Sequence, residues 1–400
     1  MTAGPVQSRV GALERRYLNG TFEELCRIES PSGRERRCAQ RVIAELRALG
    51  VEVFEDQAAT TAGSDCGNLL ARIGPGGVPG GEGQSESDGP SVLLCAHLDT
   101  VPLATPVEPV LVEGGWENAN EGVLGADNKA AVAVLLALAR HVAREGAPVG
   151  LELLFTVCEE VALAGARAFD ASRLKGEFGY VFDHASPIGE VVLSSPTHFR
   201  IEASFRGAAA HAGLRPEHGR SAILAAARAV ASLRHGRLDG ETTVNVGTIV
   251  GGSAMNVVAE RCTLVAEVRG LSGQRAEEVV GEVVDRMHQA GNLPDCDCDV
   301  DISVQRTFAG YHLTPSRPAV RAAEQALRAV GHEPVRISSG GASDANALLA
   351  QGFETVNLAN GTERNHEPGE RVSVVALEGM LDVALALLEQ AAVIVSDRAR

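Results

Sequence analysis

Residues 127–145, DNKAAVAVLLALARHVARE, are apolar on almost every face of the helix that their Ala- and Leu-rich composition predicts. A helix of that kind has to be covered on all sides, which calls for a sheet beneath it and further helices around it. The flanking sequence supplies the sheet. GNLLARIG (67–74), PSVLLCAHLD (90–99), LELLF (151–155) and FGYVFDHAS (178–186) are short apolar runs that read as buried strands. RRCAQRVIAELRALG (36–50) reads as a helix ending at Gly50, and VEVFED follows it as a strand. The expectation is an α/β domain with a mixed central sheet flanked by helices. Between two strands, GPGGVPGGEGQSESDGP (74–90) has the composition of a flexible surface loop.

From Ser194 the texture changes. THFRIEASFRG, GRSAILAAARAVASLRHG, TTVNVGTIVGG, ERCTLVAEVRG, GQRAEEVVGEVVDRMHQAG and CDVDISVQRTF follow one another as β-α-β-β-α-β, the split βαβ pattern of a ferredoxin-like α+β domain. The α/β texture then resumes with PAVRAAEQALRAVG. The simplest organisation is a catalytic domain in two parts, 1–194 and 308–400, interrupted by an inserted lid or dimerisation-type domain at 195–307. A strand such as THFRIEASF, if it lies at a sheet edge, is a candidate for pairing two chains into a homodimer.

Composition excludes several partners. The net charge of −16 offers no basic field for nucleic acid or an anionic membrane. The N-terminal MTAGPVQSRVGALERRY lacks the apolar core of a signal peptide, and no apolar run approaches the ~20 residues of a membrane span. Eight cysteines are scattered without a disulfide-framework spacing, which suits reduced thiols in the cytoplasm. CDC at 296–298 has no second Cys/His pair to complete a metal site.

Ligand-type residues stand at the strand ends of the outer segments: His97 and Asp99 in LLCAHLDTVP, Asp127 in GADNKAAVAV, Glu159 and Glu160 in TVCEEVALAG, Asp183 in FGYVFDHAS, and His366 in NGTERNHEPGERV. Singly, each has an ordinary explanation: a core histidine, a helix N-cap, a turn, a solvated acidic face. Together they pose an electrostatic problem, because carboxylates at buried strand ends need a cation and only Lys129 is close in sequence. A pair of divalent metals answers it. Such a pair needs a bridging carboxylate, two further protein ligands per ion, and one acid that is not a ligand to take a proton from water. The adjacency of Glu159 and Glu160 then makes sense, one directed to metal and one to water.

HLDTVP, GADNKAAVA, FTVCEEVALAGA and GGASDANALLAQGFETVNLANGTERNHEPGERV together resemble the co-catalytic metallopeptidases that include peptidase T, carboxypeptidase G, aminoacylase and succinyl-diaminopimelate desuccinylase. GADNKA, AAHAGLRPEHGRSAI and SDAN resemble the peptidase T-like branch most. The resemblance implies His97 and Asp183 on one metal, Glu160 and His366 on the other, and Asp127 bridging. It makes Glu159 the general base, and Asp99 the residue that orients the His97 imidazole. It implies that His211, in the insert, stabilises an oxyanion, and that Asn256, Arg269, Gly340 and Gly341 hold substrate. Peptidase T usually has a second aspartate after the bridging one, where this chain has Asn128. His184, beside Asp183, falls outside the set. The implied activity is hydrolysis of an amide bond in a small peptide by a tripeptidase-type aminopeptidase. The alternatives are an N-acyl amino acid deacylase or carboxypeptidase with the same ligands, and a non-catalytic metal-binding protein. Zinc is the first expectation for the two ions; manganese and cobalt suit the same mixed His/carboxylate donors.

Overall fold

The computed structural model describes residues 9–77 and 89–398, so most of the 74–90 stretch lies outside the described residues. The chain divides into two units. The first is Met1–Leu193, His312–Ser339 and Ser343–Arg400; the second is Ser194–Tyr311 with Gly340–Ala342.

The first unit is built on a mixed sheet. Strand Ser91–His97 is parallel to Gly150–Thr156 on one side and to Gly179–His184 on the other. Leu69–Ile73 extends the sheet antiparallel to Gly150–Thr156. Thr355–Ala359, from far along the chain, inserts between Gly179–His184, to which it is parallel, and Glu190–Ser195, to which it is antiparallel. Ser91–His97 and Gly150–Thr156 are buried at every position, which is why neither shows the alternation of a half-exposed strand.

Helix Ala126–Glu145 packs against this sheet and is covered by helices Ala12–Cys26, Arg36–Ala48 and Val374–Arg398. Val132, Val134, Leu135, Leu136 and Leu138 on it are all fully buried. Each contributes about 1.5–3 kcal/mol by leaving water, enough to explain why its polar flanks do not bring it to the surface. It stops at Gly146, whose φ of +77° lets its N–H reach back to the Val142 carbonyl. Helix Val374–Arg398 contains a stretch, Val374–Ser396, long and apolar enough to cross a membrane, contrary to the sequence expectation. Most of that stretch is packed inside the first unit, with Leu377, Met380, Leu381, Ala384 and Leu387 buried, so its apolarity is that of a core helix.

The second unit is an antiparallel sheet with strand order Gly236–Arg237, Thr242–Gly251, Arg261–Gly270, Thr197–Arg206, Asp299–Phe308. Helices Ala222–Ser232 and Gly273–Gly291 pack on it. Phe199, Ile201, Ala203 and Phe205 alternate inward from Thr197–Arg206 to join the helices' Ala225, Ala226, Val279 and Val283 in one core. One expectation needs correction here. THFRIEASF is not an edge strand: it lies between Arg261–Gly270 and Asp299–Phe308 and is hydrogen-bonded on both sides. Its alternation reflects one face on the helices rather than an open edge. The edges are instead Asp299–Phe308 on one side and, on the other, the latter half of Thr242–Gly251, because Gly236–Arg237 covers only Thr243 and Val244.

Candidate metal centre

Parallel strands bring their carboxyl ends to one side of a sheet, and chemistry gathers there. His97 is the last residue of its strand, and Asp183 the last but one of the next. Beyond Thr156 the chain turns sharply, with Cys158, Ala162 and Leu163 at φ values of 50°, 57° and 60°, a region that non-glycine residues rarely adopt. This turn carries Glu159 and Glu160. It is packed so tightly that a Cβ on Gly165 would lie 2.1 Å from the Val157 carbonyl oxygen. Asp127 follows Gly125, which has φ +77°, and has φ −82° and ψ 105° itself, so the helix proper begins after it. It does not cap that helix; its side chain is free to face the strand ends. His366 sits in the loop of a small hairpin between Thr362–Glu363 and Arg371–Ser373.

These segments converge. His97 Nε2 lies 3.3 Å from Asp127 Oδ1 and 3.6 Å from Asp183 Oδ1. His366 Nε2 lies 3.2 Å from Asp127 Oδ2 and 2.8 Å from Glu160 Oε1. Donors around one tetrahedral ion with bonds of ~2.0–2.2 Å stand about 3.3–3.6 Å apart. Two donor sets of that size are therefore present: His97, Asp127, Asp183, and Asp127, Glu160, His366. Asp127 belongs to both, one oxygen to each. Its Oδ1 is buried and takes no hydrogen bond, an unmet acceptor that a cation would satisfy. Glu159 and Glu160 also lie within reach of His97. The donor set fits a pair of divalent ions.

The electrostatics explain why cations belong there. Burial pushes the Glu159 carboxyl well above its usual range, and the Asp183 charge pushes the same way. Burial and the neighbouring Asp127 raise Asp183 to about 8. Burial opposes charge on Asp127 as well, but the His366 and His97 imidazoles outweigh it and hold that carboxyl low. His366 is raised to about 10, first by Asp127 and then by Glu160. Burial works against the His97 cation, yet Asp127 and Asp183 raise it well above normal. Lys129, the cation nearest in sequence, is buried but donates to the Ile28 backbone carbonyl. Protons on two histidines are thus the local countercharge to a crowd of carboxylates, and two divalent ions are the stronger remedy.

A model of the peptidase dimerisation domain matches residues 196–292, and a model of peptidase family M28 matches residues 79–217. The uncharacterized protein YqjE of Bacillus subtilis is 30% identical over 380 residues, covering 95% of this chain and 99% of that protein. The crystal structure of aminopeptidase PepT from Bacillus cereus superimposes with a TM-score of 0.82 at 30% identity, over 94% of this chain and 99% of that one. A tripeptidase from Staphylococcus aureus gives a TM-score of 0.85 at 29% identity, over 94% and 98%. The chain belongs to the peptidase T-like metallopeptidases.

In this peptidase T-like chain several residues that pattern reading overlooked hold the donors in place. His97 Nδ1 donates to the Asp99 backbone carbonyl at 2.9 Å, which leaves Nε2 facing Asp127 and Asp183. The Asp99 carboxylate lies 3.5 Å from the same Nδ1, and it also braces the turn beyond. Its two oxygens accept the N–H groups of Glu159 and Glu160, at 2.9 and 3.2 Å, and the Ser32 hydroxyl at 2.7 Å. Glu370, buried, accepts three backbone N–H groups, from Leu124, Gly125 and Asp127, all at 2.8 Å. Burial raises its carboxyl to about 6. Asn365 Nδ2 donates to Asp127 Oδ2. Asp344 is wholly buried, accepts from Thr156, and is raised to about 6 by that burial. Asn128 is buried with its amide unpartnered, and His184 faces Glu190 at 3.8 Å.

The candidates in the second unit form two places. His211 and Asn256 are exposed neighbours: His211 bridges to Val257, and the Ala212 N–H donates to the Asn256 carbonyl. Gly213 donates to His211 Nδ1 at 3.2 Å, so the neutral ring carries its proton on Nε2. Arg269 reaches the Gly340 carbonyl at 3.3 Å, and Ser195 donates to the Gly341 carbonyl at 2.9 Å. Arg269 is also paired with Glu267 at 3.2 Å. Cys296 and Cys298 are buried in this unit's core, and among the described residues they join no ligand cluster.

Proposed function

We propose that this peptidase T-like chain is a two-metal aminopeptidase that removes the N-terminal residue of short peptides, tripeptides foremost. The observation that carries the reading is the pair of donor sets sharing Asp127, with one buried acid, Glu159, left over for proton transfer. His97 and Asp183 would hold one ion, Glu160 and His366 the other, and Asp127 both. When bound, the ions polarise the scissile carbonyl and lower the pKa of the attacking water. Glu159 accepts a proton from that water and returns it to the departing amine as the C–N bond breaks. Glu159 suits the task by its place: it is buried beside His97 and Glu160 but belongs to neither of the two sets that share Asp127. The family resemblance would give His211 the oxyanion of the tetrahedral intermediate, and Asn256, Arg269, Gly340 and Gly341 the peptide carboxylate and main chain. Zinc is the metal this donor set suits first, with manganese and cobalt compatible.

The PepT and tripeptidase likenesses support cleavage from the amino end. A deacylase or carboxypeptidase would share every metal donor, whereas a non-catalytic binding protein would have no use for Glu159. A panel of free tripeptides, dipeptides, N-acetyl amino acids and N-blocked peptides separates these readings. Release of the first residue from free tripeptides, with N-blocked compounds inert, is expected. Turnover of N-acetyl amino acids in preference to free peptides would replace the reading with deacylation, and no turnover of either would leave the binding-protein alternative.

Two further features belong to the same reading. The uncovered part of Thr242–Gly251 exposes Ile249 and Val250, and Ile223 lies against the adjoining Gly252, which supports a homodimer formed through the second unit. Sedimentation should give twice the chain mass for the wild type and a monomer for Val250→Asp; a wild-type monomer at micromolar concentration would end the dimer reading. All eight cysteines are free and buried, which supports a reducing, cytoplasmic setting.

A further inference from the structure

Glu35 is fully buried, forms no ion pair among the described residues, and lies outside both donor sets that share Asp127, grouping instead with Asp65 and Cys66. Its Oε1 accepts the Gly33 N–H at 2.9 Å, the Cys158 N–H at 3.1 Å and the Cys158 thiol at 3.2 Å. Its Oε2 accepts the Ser64 hydroxyl at 2.6 Å. Cys158 immediately precedes Glu159 and holds a φ of 50°, a conformation that persists only where the surroundings enforce it. The N–H of Val157 goes to the Asn68 side chain, that of Cys158 to Glu35, and those of Glu159 and Glu160 to Asp99. The N–H groups of four successive residues are therefore held by side chains from remote segments, while the carbonyls of Val157, Cys158 and Glu159 accept from Gly165, Ala164 and Leu163 within the turn.

We infer that Glu35 is a positioning residue for Glu159: by clamping the backbone and thiol of Cys158 it fixes the left-handed turn that aims the Glu159 carboxylate. This rests on Glu159 being the general base. Asp99 holds the two planes that flank Glu159, and Glu35 holds the plane before them, where the strained residue would otherwise relax. Relaxation at Cys158 rotates the chain entering Glu159 and displaces a carboxylate whose work depends on sub-ångström placement. Four of the five donors, His97, Asp127, Asp183 and His366, are carried by other segments; Glu160 shares the turn, but its own N–H is held by Asp99 and its carboxylate by His366.

The test uses full-length metal-loaded protein with trialanine as substrate. Glu35→Met, similar in volume but without acceptors, should lower kcat about ten- to a hundred-fold while KM stays within about twofold and metal content is unchanged. Glu35→Gln should recover most of that loss, because its carbonyl oxygen still accepts from Cys158 and its amide donates to Ser64. In a Glu159→Gln background, Glu35→Met should cause no further fall. If Glu159→Gln alone retains full activity, the general-base reading fails. If Glu159→Gln is crippled but Glu35→Met lowers kcat equally in both backgrounds, or strips metal in step with activity, the base stands and the positioning role is overturned. An unchanged kcat in Glu35→Met, or no recovery in Glu35→Gln, also overturns it. Should Glu35→Met not yield folded protein, Glu35→Asp must show the same loss, since it withdraws the carboxylate from Cys158 by one methylene.

Discussion

Glu159→Gln is expected to cut peptide turnover about 10²–10⁴-fold while both metal ions stay bound, the usual span for loss of a general base. The substitution keeps the size of the side chain and removes only its ability to accept a proton. Glu159 is 8% exposed and its main chain is held by Asp99, so nothing else at the site needs to move. Glu160→Gln should fail differently. Glu160 faces His366 at 2.8 Å within the second donor set, so its loss should take one ion with it, and excess metal should restore part of the rate. Elemental analysis of dialysed protein, paired with turnover of a tripeptide, reads both outcomes. If Glu159→Gln loses metal and Glu160→Gln does not, the two acids exchange roles. If neither changes metal or rate, the pair is an ordinary acidic turn.

Asp127→Ala is expected to leave the protein with neither ion, because each donor set is built around one of its two oxygens. With the ions go several kcal/mol of transition-state stabilisation, so turnover should fall at least about 10³-fold. Stability should respond in a telling way. A chelator should lower the melting temperature of the wild type, since ligands bound at about a thousand times their Kd add ~4 kcal/mol by mass action. The same chelator should leave Asp127→Ala unchanged. Without metal, the variant should melt below metal-free wild type near neutral pH, because His366 and His97 hold the Asp127 carboxyl low and its removal leaves both imidazoles and the Asn365 amide without that partner. Two ions per chain in dialysed Asp127→Ala would remove Asp127 from the bridge.

The elements that could be read from sequence are those whose physics is local. Apolar runs such as SVLLCAH and GLELLFT state their burial directly, and the ligand types at their ends announce a cation through the cost of burying bare carboxylates. The β-α-β-β-α-β order of the insert likewise follows from its periodicities. What escaped reading has partners that carry no side-chain signature. Glu370 and Asp99 act on backbone N–H groups, and every residue offers one of those, so no motif marks the recipient. The role of THFRIEASF was misjudged for a related reason: alternation reports that one face is buried, while edge or centre depends on strand order, which is set by residues about 100 positions later in Asp299–Phe308. Helix Val374–Arg398 shows the converse, since its composition alone fits either a bilayer or a protein interior and only packing decides.

The position of Thr355–Ala359 between Gly179–His184 and Glu190–Ser195 governs the order in which this chain can mature on a ribosome. When residue 311 has emerged, the second unit has all of its strands and helices except the short Gly340–Ala342 strap, so even its long-range pairing of Thr197–Arg206 with Asp299–Phe308 can form. The first unit at that moment is a sheet with a missing slat, two buried-type strand edges facing an empty lane, and four of the five proposed metal donors already made. The last strand must thread in from roughly 170 residues away, the kind of non-local closure that folds late and exposes aggregation-prone edges meanwhile. His366 follows that strand by seven residues, so the donor that completes the second ion's set is delivered by the same event that closes the sheet. Nascent chains therefore carry no assembled hydrolytic centre until the fold that contains it is nearly finished.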